Sequence, residues 1–138
     1  MRQATTILNF RTGGRGFLDV TAKLRGWAEG QAMEEGLLTL FIRHTSASIL
    51  VQENADPDVL ADLAEALDRL APRDHPYHHM TEGPDDMPAH IKAALTATSL
   101  AIPLIGGHLA LGTWQAVYLV EHRDRPHTRE IACHLMGK

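Results

Sequence analysis

Strand-like runs outnumber helical ones in this 138-residue chain, and the two kinds do not alternate regularly. The β-rich runs fall at residues 5–10, 16–19, 37–43, 47–53, 99–105, 114–121 and 129–136. A doubly wound parallel sheet needs strands and helices in regular succession. A (β/α)₈ barrel needs at least about 200 residues. The pattern therefore predicts one α+β domain over residues 1–138, built on an antiparallel sheet or sandwich. A 44% hydrophobic content suffices for a core, and 5% aromatics makes that core mostly aliphatic.

Three helices complete the pattern. Asp19 can cap a short one with Val20, Leu24 and Trp27 on one face. Asp56 is a good N-cap for the clearest helix, with Pro57 at its first position and Asp58 complementing the dipole. Val59, Leu60, Leu63, Leu67 and Leu70 form its predicted buried stripe, and Pro72 ends it. A further helix is predicted from Pro88, with Ile91, Ala94 and Leu95 facing inward. Gly106-Gly107 reads as a turn.

Net charge is −4 and the pI about 6.1, which disfavours a nucleic-acid partner. No apolar signal region follows Arg2, and no run approaches the roughly 18 apolar residues that span a bilayer. A soluble, cytoplasmic protein without membrane contact is the expectation. Cys133 alternates with Ile131 and Leu135 and reads as a small core residue.

Residues 72–88, PRDHPYHHMTEGPDDMP, hold three histidines, three aspartates, one glutamate and four prolines. Irregular stretches this long are functional or disordered, and disordered ones favour Ser, Lys and Gln over His and Tyr. Oxygen and imidazole donors stiffened by proline suit a bound ion. Beyond this loop, His44 ends a strand on the apolar face of Leu38, Leu40 and Ile42, with the Thr45 and Ser46 hydroxyls beside it. A buried histidine satisfied by backbone is the competing reading there. Glu53 either shares the face of Ala47, Ile49 and Val51, where a carboxylate must be paired or ligating, or leaves the strand for solvent with Asn54.

Asp86 and His90 stand four apart, so a helix reaching back to Asp86 lets the carboxylate orient the imidazole. Lys92 lies about 160° round the helix from His90 and is expected to serve a neighbouring subunit or the solvated surface. Either His78 or His79 can supply a further imidazole. With His44 and His90 this gives three nitrogen ligands, the number typical of a catalytic zinc with an open position. Trp114, Tyr118 and Val120 read as one packed face, with Gln115 and Glu121 on the other beside Val117 and Leu119. His75, His108, His122, His127 and His134 read as surface or local structural residues, and Arg129 as the arginine best placed for an anion.

Four segments, HTSASILVQENADPDV, YHHMTEGPDDMPAHIKAAL, IPLIGGHLALGTWQAVYLVEHR and REIACHLMG, together resemble the YjbQ family from end to end. The resemblance implies a β-sandwich of unusual topology assembled as a homotrimer. It also implies a site at His44, Thr45, Ser46, Glu53, Asn54, His79, Asp86, His90, Gln115 and Arg129, and so prefers His79 to His78. Ala116 and Glu130 depart from the family pattern, where glycine and a second basic residue are usual.

The activity implied is that of a thiamine-phosphate synthase, joining hydroxymethylpyrimidine diphosphate to thiazole phosphate and releasing pyrophosphate. Such chemistry calls for a divalent metal, zinc or magnesium, on a small phosphorylated substrate. His44, His79 and His90 are the metal-ligand candidates. Glu53 and Asp86 are the catalytic ones, with Thr45, Ser46, Asn54, Gln115 and Arg129 binding substrate. The alternatives are a metal-dependent hydrolase, with Glu53 or Asp86 as base, and a non-catalytic trimeric module that binds a small anion or metal.

Overall fold

The computed structural model describes residues 1–138. In chain order its elements are β1 (Arg2–Arg11), β2 (Gly16–Asp19), α1 (Thr21–Glu29), β3 (Glu35–Ile42), β4 (Ala47–Glu53) and α2 (Pro57–Leu70). They continue with α3 (Asp86–Leu95), β5 (Ser99–Ile105), β6 (His108–Leu109), β7 (Gln115–Glu121) and β8 (Thr128–Gly137). Every strand pairing is antiparallel, in a five-stranded sheet ordered β1-β8-β3-β5-β6 and a three-stranded sheet ordered β2-β7-β4. The α+β architecture expected from the pattern is the one adopted.

Period-two alternation puts one face of each sheet into a shared aliphatic core. Leu38, Leu40 and Ile42 of β3 and Ile131, Cys133 and Leu135 of β8 meet Ala47 and Ile49 of β4 and Val117 and Leu119 of β7. Leu24 and Ala28 of α1 join the same cluster. Burial pushes the Cys133 thiol up to about 11, so it remains a protonated packing group. Gly36 and Gly137 face each other across β3 and β8, where a Cβ on either would strike the Met136 or Glu35 carbonyl oxygen. Only glycine lets the two backbones approach so closely.

The second face of the small sheet carries α2. The Asp56 side chain accepts the Asp58 backbone N–H at 2.9 Å, with Pro57 opening the helix as expected. The predicted buried stripe is only half realised. Val59, Leu60, Leu63 and Leu67 are half-buried, Leu70 is 64% exposed, and no residue of α2 is fully buried. The helix rests on the outside of a narrow sheet, so it has one partner layer rather than two.

Helix α3 begins at Asp86, two residues before the expected Pro88, and its inward face differs from the predicted one. Asp86, Pro88, Ala89 and Lys92 are buried, whereas Ala94 and Leu95 are exposed and Ile91 is intermediate. Polar anchors set this rotation: Lys92 Nζ donates to Asp68 of α2 at 2.6 Å, and Asp86 accepts from Arg123 at 2.7 Å. Lys92 is thus an interior cation, not the surface or intersubunit group expected of it. Trp114, read as part of a packed face, precedes β7 and is 65% exposed, while Tyr118 and Val120 are buried as predicted. No helix is long and apolar enough to cross a membrane.

Candidate metal centre

The segment between α2 and α3 has no regular structure, yet it is held at several points. Tyr77 Oη donates to the Pro72 carbonyl at 2.6 Å, and the Arg73 guanidinium grips Asp124. Arg123, just past β7, does most of the fastening. Its Nε donates to Asp85 Oδ2 at 2.9 Å, its Nη2 to the Glu82 carbonyl at 3.0 Å, and its Nη1 to Asp86 Oδ1 at 2.7 Å. Asp85 also accepts the Asp124 backbone N–H at 2.9 Å. A planar, permanently charged fork suits this bridging role.

With Oδ1 committed to Arg123, the Asp86 carboxylate turns Oδ2 toward two imidazoles. His79 Nε2 lies 2.6 Å from it and His90 Nε2 3.2 Å. One ligand atom from each of His79, Asp86 and His90 falls within 4.8 Å of the others. Burial alone would raise the Asp86 pKa, but the His79 contact, the His90 charge and Arg123 outweigh it and hold the carboxyl below its ordinary range. The Asp86 side chain is only 3% exposed, against 45% for His79 and 32% for His90. The centre is therefore anchored from beneath and open from above.

His90 carries a further constraint. Its Nδ1 stands 3.1 Å from the Thr45 carbonyl, an acceptor with no proton to give. Nδ1 must therefore be the donor, and in neutral imidazole the Nε2 lone pair then points at the Asp86 oxygen. Lone pair against carboxylate is repulsive unless a proton or a metal ion stands between them. Carbonyl-fixed imidazoles of this kind are the usual way a metal-ligating nitrogen is aimed.

The other candidates are arranged differently. His44 is not part of the three-residue cluster: its Nε2 accepts the Glu130 backbone N–H at 2.8 Å. Burial first, then the Arg129 charge, lowers its pKa. The set is thus two imidazoles and a carboxylate rather than three imidazoles. Arg129 spends Nε and Nη2 within the fold, while its Nη1 has no protein partner and the residue lines the cavity beside His90. It is buried, its Nε donates to Glu121 Oε1 at 2.9 Å, and its Nη2 bonds Glu121 Oε2 and, at 3.1 Å, Ser46 Oγ. Thr45 holds the His90 ring through its backbone oxygen.

Glu53, Asn54 and Gln115 sit at the far end of the small sheet. Glu53 pairs with Gln115 in register, six residues along β4 from Ala47, or roughly 20 Å at about 3.3 Å per residue. There Glu53 Oε2 accepts the Asp56 N–H at 3.3 Å, Gln115 Oε1 accepts the Gly112 N–H at 2.8 Å, and Asn54 Nδ2 donates to the Thr113 carbonyl at 3.4 Å. Within one chain these three shape turns and do not meet the histidine cluster. His78 is exposed beside His79.

Arg123 and Asp85 were not among the sequence candidates. The acid pair Asp85-Asp86 and the run EHRDR are visible as charges, but nothing in their spacing matches one to the other. Two cavities flank the centre. His90 borders one of about 800 Å³, shared with Phe41, Arg43, His44, Thr45 and Arg129. His79 borders one of about 240 Å³, shared with Arg73, Tyr77, Met80 and Met87.

Residues 6–138 match the family described as UPF0047 protein YjbQ-like. This chain belongs to that family. A UPF0047 protein of Synechocystis sp. is 51% identical over 138 residues, covering 99% of this chain and 94% of its own. The UPF0047 protein YjbQ of Escherichia coli is 40% identical, covering 95% and 96%. Among solved structures, a hypothetical protein from Aeropyrum pernix superposes with TM-score 0.89 at 31% identity, covering 98% of this chain and 99% of that one. A conserved hypothetical protein from Thermus thermophilus does so with TM-score 0.81 at 38% identity, covering 95% and 99%. The YjbQ-like family has no established function, so the chemistry has to be argued from the site.

Proposed function

We propose that His79, Asp86 and His90 hold a divalent metal and that the chain is a metal-assisted enzyme acting on a small phosphorylated substrate. The observation that carries this reading is the pair of Nε2 atoms facing one buried carboxylate oxygen, with the His90 ring oriented by its Nδ1 contact to the Thr45 carbonyl. Two imidazoles and a carboxylate favour zinc over magnesium, which prefers oxygen ligands. Three protein ligands leave a position open to solvent or substrate, as in catalytic rather than structural zinc sites. Such a metal supplies Lewis-acid polarisation of a phosphoryl oxygen, or a water made acidic enough to attack at neutral pH.

The chain's own residues do the rest. Arg123 fixes the carboxylate, and the Thr45 carbonyl fixes the His90 ring. The roughly 800 Å³ cavity beside His90 offers the Thr45 hydroxyl and the Nη1 of Arg129 to an anionic group. The thiamine-phosphate synthase reaction implied by the resemblance is the first specific case to assay. Hydrolysis by a metal-bound water is the second, favoured by the half-exposed position of both imidazoles.

Purified protein equilibrated with zinc and desalted should retain about one metal per chain by elemental analysis, and His90→Ala should retain none. Turnover would then be measured with hydroxymethylpyrimidine diphosphate plus thiazole phosphate, and with a phosphoester panel. Equal metal retention by wild type and His90→Ala sinks the reading. Metal-loaded protein inert on both substrate sets leaves only a metal-binding module.

The homotrimer implied by the resemblance is also part of this proposal. Ile7, Leu37, Phe41 and Met136 stand 43–50% exposed on the outer face of the large sheet, with Ile7, Ala132 and Phe41 in one cross-strand row. An apolar sheet face of this kind suits a second copy of the chain. Light scattering should give three times the chain mass, and Phe41→Lys should shift it to monomer.

A further inference from the structure

A second site, separate from the histidine cluster, lies under α2. A cavity of about 220 Å³ opens between α2 and the outer face of β2 and β7. One half is apolar, walled by Phe17, Leu60, Ala64 and Leu67, and the other holds Lys92 and His122. Drug-sized pockets run from about 300 to 1,000 Å³, so the occupant here is small.

The polar half is built rather than incidental. Lys92 is 5% exposed, and of its three N–H groups one is spent on Asp68 at 2.6 Å, with no other acceptor bonded. Asp68 is in turn shared with Arg15, whose Nη1 and Nη2 donate to its two oxygens at 3.2 and 3.3 Å. Arg15 has a second carboxylate, Asp124, at 4.0 Å, whereas Asp68 is the one carboxylate on Lys92. The other acid on the wall, Glu121, is already matched by Arg129, so the Lys92 ammonium is the buried cation here with donors to spare.

His122 is 3% exposed. Its Nε2 is paired with Ser48 Oγ at 2.9 Å, while its Nδ1 has no protein partner. No fully enclosed side-chain nitrogen or oxygen in the molecule is unpaired, so Nδ1 must border open space, and the cavity is the space this ring lines. A buried ammonium with unspent donors beside an unpaired imidazole nitrogen is costly unless an acceptor group arrives.

We propose that this cavity binds a small amphipathic monoanion, its apolar body against Phe17, Leu60 and Leu67 and its carboxylate on Lys92 and His122. One ammonium with spare donors and one unpaired imidazole nitrogen match the two oxygens of a carboxylate. Helix α3 therefore presents His90 to one site and Lys92 to another.

The test titrates benzoate into the full-length protein, with benzyl alcohol as the uncharged isostere and methyl phosphate as the alternative anion, followed by backbone amide NMR. Benzoate should give saturable shifts concentrated at residues 60–67 and 120–122. Lys92→Met should weaken benzoate at least about tenfold and leave benzyl alcohol unchanged, a tenfold change being one decade in Kd. Ala64→Phe, which fills the cavity from α2 without touching a charge, should abolish both, and His79→Ala should change neither. Absent or non-saturating shifts overturn the proposal. So does benzyl alcohol or methyl phosphate binding as well as benzoate, or full benzoate binding by Ala64→Phe. If Lys92→Met does not fold, the Ala64→Phe result and the ligand comparison decide.

Discussion

Two buried carboxylates in this molecule are served by similar partners and end in opposite conditions. Glu121 is 2% exposed and closed: Arg129 grips both oxygens, Thr12 Oγ1 donates at 2.7 Å, the Arg123 N–H adds a bond at 3.2 Å, and His127 Nδ1, 3.3 Å away, is spent on the Arg125 carbonyl at 2.7 Å. Asp86 is equally buried but open, because only Oδ1 is taken by an arginine while Oδ2 faces imidazoles that reach solvent. A guanidinium has only donors and cannot be deprotonated, so it completes a carboxylate permanently. An imidazole keeps a lone pair for something else. The comparison separates a carboxylate that holds the fold together from one that is poised for a ligand.

The largest expected effect tests the closed end. Arg129→Ala strands Glu121 without its counter-charge and should cost about 3–5 kcal/mol of unfolding free energy by denaturant titration. The paired change Glu121→Leu with Arg129→Met should restore most of that loss. Equal instability of the single and double variants would mean that packing, not charge, makes the difference.

Next comes acid sensitivity next door. Burial lowers the His122 pKa to about 4 from an ordinary value near 6.5, so between these pH values the unfolded chain binds a proton that the folded chain refuses. Stability is therefore full above pH 6.5 and falls as the pH drops toward 4, by about 3 kcal/mol in all. The His122→Gln variant should show a flatter profile in that window.

At the open end the effects are on affinity. On the proposed reading, Arg123→Gln frees Asp86 to turn and should weaken zinc about 10–100-fold in a chelator competition. Smallest of all is the stability change on His79→Ala. This half-exposed imidazole should move the unfolding free energy by no more than about 1 kcal/mol while removing tight zinc binding. A large stability loss there would make the open carboxylate a second structural one.

How much of this was legible beforehand follows from the range of the interactions. The α+β class, the Asp56 cap and the strand faces of β3 and β8 follow from local pattern and were readable. The Asp86–His90 pairing was readable too, because i,i+4 spacing is a property of one helix. The rotation of α3 was not. Lys92 is buried because Asp68, twenty-four residues earlier, reaches it, and no periodicity carries that information. The grip of Arg129 on Glu121 was not readable, because the two residues stand in different sheets and no local spacing foretells a contact between sheets. Glu53 and His44 lie close in the chain but are separated by the length of β4, since a strand carries its ends far apart.

The thin seating of α2 has a consequence in time. A helix with no fully buried residue, fastened chiefly through Asp68, should lift from the sheet at a free-energy cost well below that of unfolding the whole molecule. Its amides should therefore exchange with deuterium long before those of β3 and β8. The cleft underneath should then widen and narrow as the helix breathes, and that motion would modulate how long an occupant stays.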